Sequence, residues 1–178
     1  MTDKRALHED QNRATAETGW DGRTEMSTTI ERTAKPEVAG PAVDAVLRIM
    51  DSMEKAWSSK DLTELFSHYW QNDGFVLFTS RGAYYGWHTA KEMLTGYFDN
   101  LEEISLKFGP RKVRVFGEVA TVVYEWRTDG WSKLNGSHLL REGYGTDVFL
   151  QENGSWKLYH NHVSLGRRET SRMQDHAW

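Results

Sequence analysis

Apolar positions between Pro41 and Trp57 recur with a helical period. Val43, Val46, Leu47, Met50, Met53 and Trp57 fall on one face, and Asp44, Arg48, Asp51 and Lys55 on the other. Pro41 suits the first position of such a helix, which should end near Ser58-Ser59. Asp61, with Glu64 a turn later, forms a capping-box pattern and opens a second, shorter helix with Leu62, Leu65, Phe66 and Tyr69 inward. Asn72-Asp73-Gly74 turns the chain into a strand over Phe75–Thr79. Ser80-Arg81-Gly82 then reverses it into a short return over Ala83–Tyr85. From Trp87 to Phe98 the helical period comes back, with Ala90, Met93, Leu94 and Tyr97 on the inner stripe. His68 and His88 fall off these stripes and read as surface residues.

Beyond Asp99-Asn100 the period changes to that of strands. Ile104, Leu106 and Phe108 alternate until Gly109-Pro110, where a residue that cannot donate to a ladder predicts a bulge or kink before Val113 and Val115 resume. Gly117-Glu118 turns into a strand over Val119–Thr128, and Asp129–Ser137 reads as a loop carrying Trp131. Two last strands, Leu139–Gln151 and Ser155–Leu165, flank Asn153-Gly154. That pair is a strong hairpin signal, because both turn residues must tolerate positive φ.

Parity assigns faces to these strands. Ala120, Val122, Tyr124 and Trp126 form the more apolar set of their strand and should face the interior. Val119, Thr121, Val123, Glu125 and Arg127 should face out. Tyr144, Thr146, Val148 and Leu150 share a parity in the first arm of the last hairpin, and Trp156, Leu158, His160 and His162 in the second. Two imidazoles then stand among apolar side chains, either as satisfied histidines at a strand end or as part of a functional pocket. On the same logic Glu142 joins Tyr144 and Thr146 inside, and Arg141 and Asp147 point outward unless a bulge shifts the register.

Composition narrows the function classes. The 178 residues are enough for one domain with a real core, and 38% hydrophobic with 12% aromatic residues describes a globular chain. A net charge of −4 without a basic block argues against a nucleic-acid partner. No apolar run is long enough to span a membrane and no charged-then-apolar leader is present, which fits a cytoplasmic protein. The absence of cysteine removes disulfides, thiolate metal sites and cysteine nucleophiles. Eight tryptophans either fill a small core or line a cavity for an aromatic or polycyclic ligand. Residues 1–40 are polar, with scattered Leu7, Trp20, Met26, Ile30 and Val38, and read as a tail, Met26 being an alternative start. Residues 167–178 read as a second tail.

The order of helix, short helix, small hairpin, helix and long-stranded meander resembles the NTF2-like superfamily, and in particular its SnoaL-like branch, which includes ketosteroid isomerase-like proteins. The matching pieces are Ala42–Trp57, Leu62–Tyr69, Tyr84-Tyr85-Gly86, Gly117-Glu118-Val119-Ala120, Asn153-Gly154-Ser155-Trp156 and His160-Asn161-His162-Val163-Ser164. The resemblance covers residues 41–166. It implies an α+β cone in which three N-terminal helices pack on a strongly curved antiparallel sheet around an apolar pocket. Such proteins often dimerise through the outer sheet face, and a homodimer through Thr121, Val123, Phe149 and Tyr159 is expected. The superfamily includes isomerases, dehydratases, cyclases, epoxide hydrolases, lyases and non-catalytic binding or assembly domains. Ketosteroid isomerases place an Asp base where Phe78-Thr79-Ser80 stands here, and their buried acid falls near Thr146. Steroid isomerisation is therefore not carried over.

The expected site has His160, His162 and Tyr144 as catalytic groups. Trp57, Tyr69, Trp87, Tyr124, Trp126, Glu142 and Thr146 are expected to bind substrate. Histidine titrates near neutral pH, and tyrosine can donate to an oxyanion in an apolar cavity. Together they suit a cofactor-free lyase, dehydratase or isomerase acting on an aromatic or polycyclic small molecule. The alternative is a non-catalytic NTF2-like module that binds a ligand or assembles oligomers. His160 and His162 could chelate a metal, but only Glu142 offers a third ligand, so no metal and no cofactor are expected. No Gly-rich phosphate loop and no nucleophile-elbow motif appear.

Overall fold

The stripe beginning at Val43 becomes helix α1, Pro41–Ser59, with Val46 and Met50 fully buried. It stops where Lys60 takes a left-handed conformation at φ 59° and donates its backbone N–H to the carbonyls of Ala56 and Trp57. The Asp61 side chain caps α2, Leu62–Ser67, by accepting the Glu64 N–H at 3.0 Å. Strands β1, Val76–Thr79, and β2, Gly82–Tyr85, form the small hairpin, and α3, Trp87–Asp99, follows. Four long strands complete the domain: β3, Leu101–Phe116; β4, Val119–Ser132; β5, His138–Glu152; and β6, Ser155–Leu165. The computed structural model describes residues 35–166.

One curved six-stranded sheet, in the order β2-β1-β6-β5-β4-β3, carries α1 and α3 against its inner face. It is antiparallel except where β1 runs parallel to β6. After β2 the chain crosses through α3 to the far edge of the sheet, so no turn joins β1 to β6 and nothing forces them antiparallel. The edge strand β3 is protected by α1. Ser58 Oγ accepts the Leu106 N–H at 2.9 Å and Glu54 Oε2 accepts the Phe108 N–H at 2.8 Å. These side chains occupy backbone donors that an open edge would leave to another strand.

The bulge expected at Gly109-Pro110 is present: both residues stand opposite Glu125 alone, between the pairs Phe108↔Trp126 and Arg111↔Tyr124. It explains how Ile104, Leu106 and Phe108 on one side of it and Val113 and Val115 on the other all face inward despite opposite parity. Strand β4 is longer than its sequence pattern suggests. The expected loop at 129–137 contributes Asp129–Ser132 to the ladder, with Trp131 paired to His138, and only residues 133–137 turn.

A second bulge was not foreseen. Phe149 pairs with Leu158 and Val148 with His160, so Tyr159 is an extra residue on β6. From Tyr159 onward the parity of β6 is reversed. Of the two expected tails, residues 1–34 and 167–178 lie outside the described residues. Within 35–40, Glu37 exchanges both backbone hydrogen bonds with Val115 at 2.9 Å, so ordered backbone precedes Pro41.

Candidate functional site

The inner face of the sheet, α1 and α3 enclose a cavity of about 140 Å³. Its wall is largely apolar, built from Met53, Trp57, Leu77, Leu94, Phe108 and Trp126. Three neighbouring strands place polar groups in it. Val122↔Asp147↔Asn161 is one rung of the ladder across β4, β5 and β6, and Tyr124 stands two residues along β4. The Tyr124 hydroxyl donates to Asp147 Oδ1 at 3.1 Å. Asn161 Nδ2 donates to the same Oδ1 through a short hydrogen bond and to the Tyr124 hydroxyl at 3.1 Å. Both bonds to the carboxyl fall on Oδ1, and Oδ2 takes none among the described residues.

Burial controls the electrostatics of this cluster. Asp147 is 1% exposed, and loss of hydration pushes its carboxyl up to about 7, although the bonds from Asn161 and Tyr124 favour the ionised form. Burial, followed by the Asp147 charge, raises Tyr69 and Tyr124 above the ordinary phenol range, so both remain donors at neutral pH. The Tyr69 hydroxyl has no hydrogen-bond partner among the described residues and lines the cavity. The buried indole Nε1 of Trp57 is also unpartnered among the described residues.

Four of the expected substrate-binding residues, Trp57, Tyr69, Tyr124 and Trp126, line the cavity. Trp87 does not: it packs into the core, with ring centroids 5.1 Å from Phe66 and 5.4 Å from Tyr69. On β5 the expected faces are reversed. Glu142, Tyr144 and Thr146 are exposed, Tyr144 at 62%, while Gly143, Gly145, Asp147 and Phe149 are buried. The ladder explains this, since inward Tyr124 and Trp126 pair with Gly145 and Gly143. Phe149 consequently belongs to the core and not to the outer face, and Tyr159 packs on Trp70 with ring centroids 4.9 Å apart.

The histidines are also displaced. Because of the Tyr159 bulge, His160 and His162 leave the face of Trp156 and Leu158, and Asn161 takes the inward position. Their rings stand nearly perpendicular to that of Phe78, at centroid distances of 5.4 and 5.8 Å. Desolvation, then the neighbouring His162, lowers the His160 pKa. The buried acid of the cavity is Asp147, which strand parity had pointed outward. A usable signal was present: two glycines opposite two large aromatics, followed by the one charge in an otherwise uncharged run from Gly143 to Leu150.

Gly145 permits this arrangement. A Cβ there would fall within the ring carbons and hydroxyl of Tyr124, so only glycine lets the phenol lie over β5 and reach Asp147.

A family model for the SnoaL-like domain matches residues 46–167. None of the curated proteins compared matches the chain. Among solved structures, the chain is similar to a nuclear transport factor 2-like superfamily protein from Salmonella enterica, at 18% identity and TM-score 0.66, covering 74% of this chain and 96% of that one. It is also similar to a proposed dehydratase of the NTF2-like family from Streptomyces avermitilis, at 17% identity and TM-score 0.63, covering 70% and 97%. A third similar structure is a proposed aromatic ring hydroxylase from Novosphingobium aromaticivorans, at 16% identity and TM-score 0.64, covering 72% and 93%.

Two outcomes are expected from this geometry. The folded chain holds the Asp147 proton to about pH 7, whereas the unfolded chain releases it in the ordinary carboxylate range. The folded state therefore binds more protons in between, and stability falls as pH rises through that window. Urea unfolding should show the wild type losing on the order of a few kcal/mol from about pH 4 to 7 relative to Asp147→Asn. Parallel pH curves for the two proteins would contradict the buried titration. In Gly145→Ala, the Tyr124 hydroxyl should be driven off Oδ1, and the carboxyl should lose a bond that favours ionisation. Carbon-13 titration should place Asp147 higher in the variant, and an unchanged midpoint would deny Gly145 this role.

Proposed function

The chain belongs to the SnoaL-like domain family of the NTF2-like superfamily, and from that premise we propose that it is a cofactor-free lyase, dehydratase or isomerase acting on an aromatic small molecule. The observation that carries this reading is the position of Asp147: a fully buried carboxyl on the wall of an apolar cavity, with a pKa near 7. Such a group is part ionised and part protonated at neutral pH, the condition that suits both halves of a proton transfer.

In the proposed reaction the Asp147 carboxylate takes a proton from a carbon beside a carbonyl. Tyr124 and Asn161 hold Oδ1 and leave Oδ2 for the substrate. The electron pair released from the C–H bond moves onto the carbonyl oxygen. The Tyr69 hydroxyl, a donor without a protein acceptor among the described residues, stabilises the oxyanion. Collapse of the enolate expels a β-hydroxyl, which leaves as water with the Asp147 proton; where a β,γ double bond extends the enolate to a dienolate, the proton instead returns to the γ-carbon. The first course is a dehydration and the second an isomerisation. The rings of Trp57, Phe108 and Trp126 give a flat apolar substrate its contacts. The similar Streptomyces structure is described as a proposed dehydratase, which agrees with the first course. His160 and His162, on the opposite face of the sheet, have no part in this reading.

The outer face would join two copies of the chain. Val119, Val123 and Tyr144 are exposed there, and an exposed apolar sheet face favours burial.

Deuterium exchange beside the carbonyl of 2-tetralone, followed by NMR, tests the chemistry without the natural substrate. The catalysed rate should rise through about pH 7 as the carboxyl ionises. Asp147→Asn should lower it roughly 10²- to 10⁴-fold with the circular dichroism unchanged, while His160→Gln and His162→Gln leave it nearly intact. Full exchange in Asp147→Asn would defeat the proposal. Light scattering at micromolar concentration should show a dimer, and replacing Val123 by Glu should give monomers. A wild-type monomer would remove the assembly.

A further inference from the structure

Apart from its tyrosines, the cavity wall contains three ionisable side chains among the described residues: Asp147, Arg81 and Arg141. The acid is buried, and the two guanidiniums lie at the opposite, open end. Phe78↔His162 is the last pair between β1 and β6, and the residues that follow it on both strands, Thr79, Ser80 and Arg81 on one and Val163, Ser164 and Leu165 on the other, line the cavity. Arg81 is exposed on the β1–β2 turn, and Leu165 is 51% exposed. Arg141 enters the same end from β5, on the inward parity of Gly143, Gly145 and Asp147. Tyr97 of α3 lies between the two. The Arg81 guanidinium is 5.5 Å from its ring centroid, and Arg141 and Arg81 both offset the effect of burial on its phenol.

Neither guanidinium has a carboxylate partner among the described residues. Among the described residues Arg111 is the one arginine with a carboxylate partner, Asp51 at 2.6 Å. Two unpaired arginines on one side of an apolar cavity make a receptor for a planar oxyanion, since the guanidinium fork matches carboxylate geometry. With Asp147 ionised, the three groups carry one net positive charge, and an anionic substrate is attracted to the open end and repelled from the acid. At roughly 3.4 Å per strand residue, the β5 backbone from Arg141 to Asp147 spans about 20 Å, shortened by the reach of both side chains. That span suits an elongated molecule bound by its two ends.

We propose that the substrate of this site is an aromatic carboxylate, whose carboxylate binds Arg81 and Arg141 at the cavity mouth while its reacting carbon lies at Asp147. This rests on reading the cavity as a substrate site and names the class of molecule it takes. The arginines would fix orientation: the head group stays in the solvated rim, and the apolar end reaches the acid. Ser80 and Ser164, exposed on the same rim, can share the head group.

Calorimetric titration with trans-cinnamate and its neutral isostere trans-cinnamamide tests this directly. Wild type should bind cinnamate roughly tenfold or more tightly than the amide, as expected for charge-assisted hydrogen bonds, and added salt should erode the difference. Arg141→Gln and Arg81→Gln should each reduce the preference, and the double variant should abolish it while amide binding is retained. Arg81 is on an exposed turn, so its variant reports even if Arg141→Gln is destabilised. Asp147→Asn should keep the preference, because head-group recognition does not use the acid. Equal binding of the two probes by wild type, or a preference that survives in the double variant, overturns the assignment but leaves the acid–base reading in place. Failure of both probes to bind overturns the cavity as an aromatic substrate site, and this inference with it.

Discussion

A carboxyl taken out of water is the constraint around which the sheet is arranged. Left without hydrogen bonds, a buried carboxylate would cost far more than a domain of this size can absorb. Asp147 is accommodated because three strands meet in one register: β5 supplies the acid, β4 the Tyr124 hydroxyl and β6 the Asn161 amide. Each partner depends on a local departure from regular strand chemistry. Tyr124 needs a glycine opposite it, and Asn161 needs the extra residue at Tyr159. Even with both bonds, burial prevails and the acid titrates near neutral pH. The cluster therefore costs stability at neutral pH, where a Leu or Phe in its place would contribute to it. A costly group held by two separate accommodations is better explained by chemistry than by packing.

The scaffold that bears this cost was legible in the sequence. The stripe of Val43, Val46, Met50 and Met53 specified α1, and the capping pattern at Asp61 specified α2. The Asn153-Gly154 turn has φ of 50° and 76°, as a type I′ hairpin requires. Gly109-Pro110 announced its bulge because proline cannot join a ladder. These signals are local, and each is a steric or hydrogen-bonding property of one or two residues.

The site was harder to read, for an equally physical reason. Nothing in the sequence around Tyr159 marks it as an extra residue, since no glycine or proline is needed where the backbone remains extended. One residue nevertheless reversed every later position of β6 and put Asn161 in the place expected for His160 and His162. On β5 the apolar set was the wrong guide. Val148 and Leu150 cover the outer face, whereas two inward positions are glycine: the Tyr124 ring occupies the space over Gly145, and the Ser164 backbone that over Gly143. A face can thus be inward without looking hydrophobic when its neighbour supplies the bulk.

The same geometry bears on how one fold hosts many reactions. The segment His160-Asn161-His162 offers two imidazoles to one face and one amide to the other, and the register of a single bulge decides which face meets the cavity. With imidazoles inside, the pocket would hold two groups that titrate unaided near neutral pH. With the amide inside, neutral-range titration must come from a carboxyl whose pKa is raised by burial, and the amide becomes a positioning donor. This chain has the second arrangement. Its acid is tuned by the depth of the cavity and not by the identity of the side chain. The apolar wall of Trp57, Phe108 and Trp126 therefore takes part in the titration of Asp147, because the exclusion of water that such a wall imposes is what lifts the carboxyl toward neutral pH.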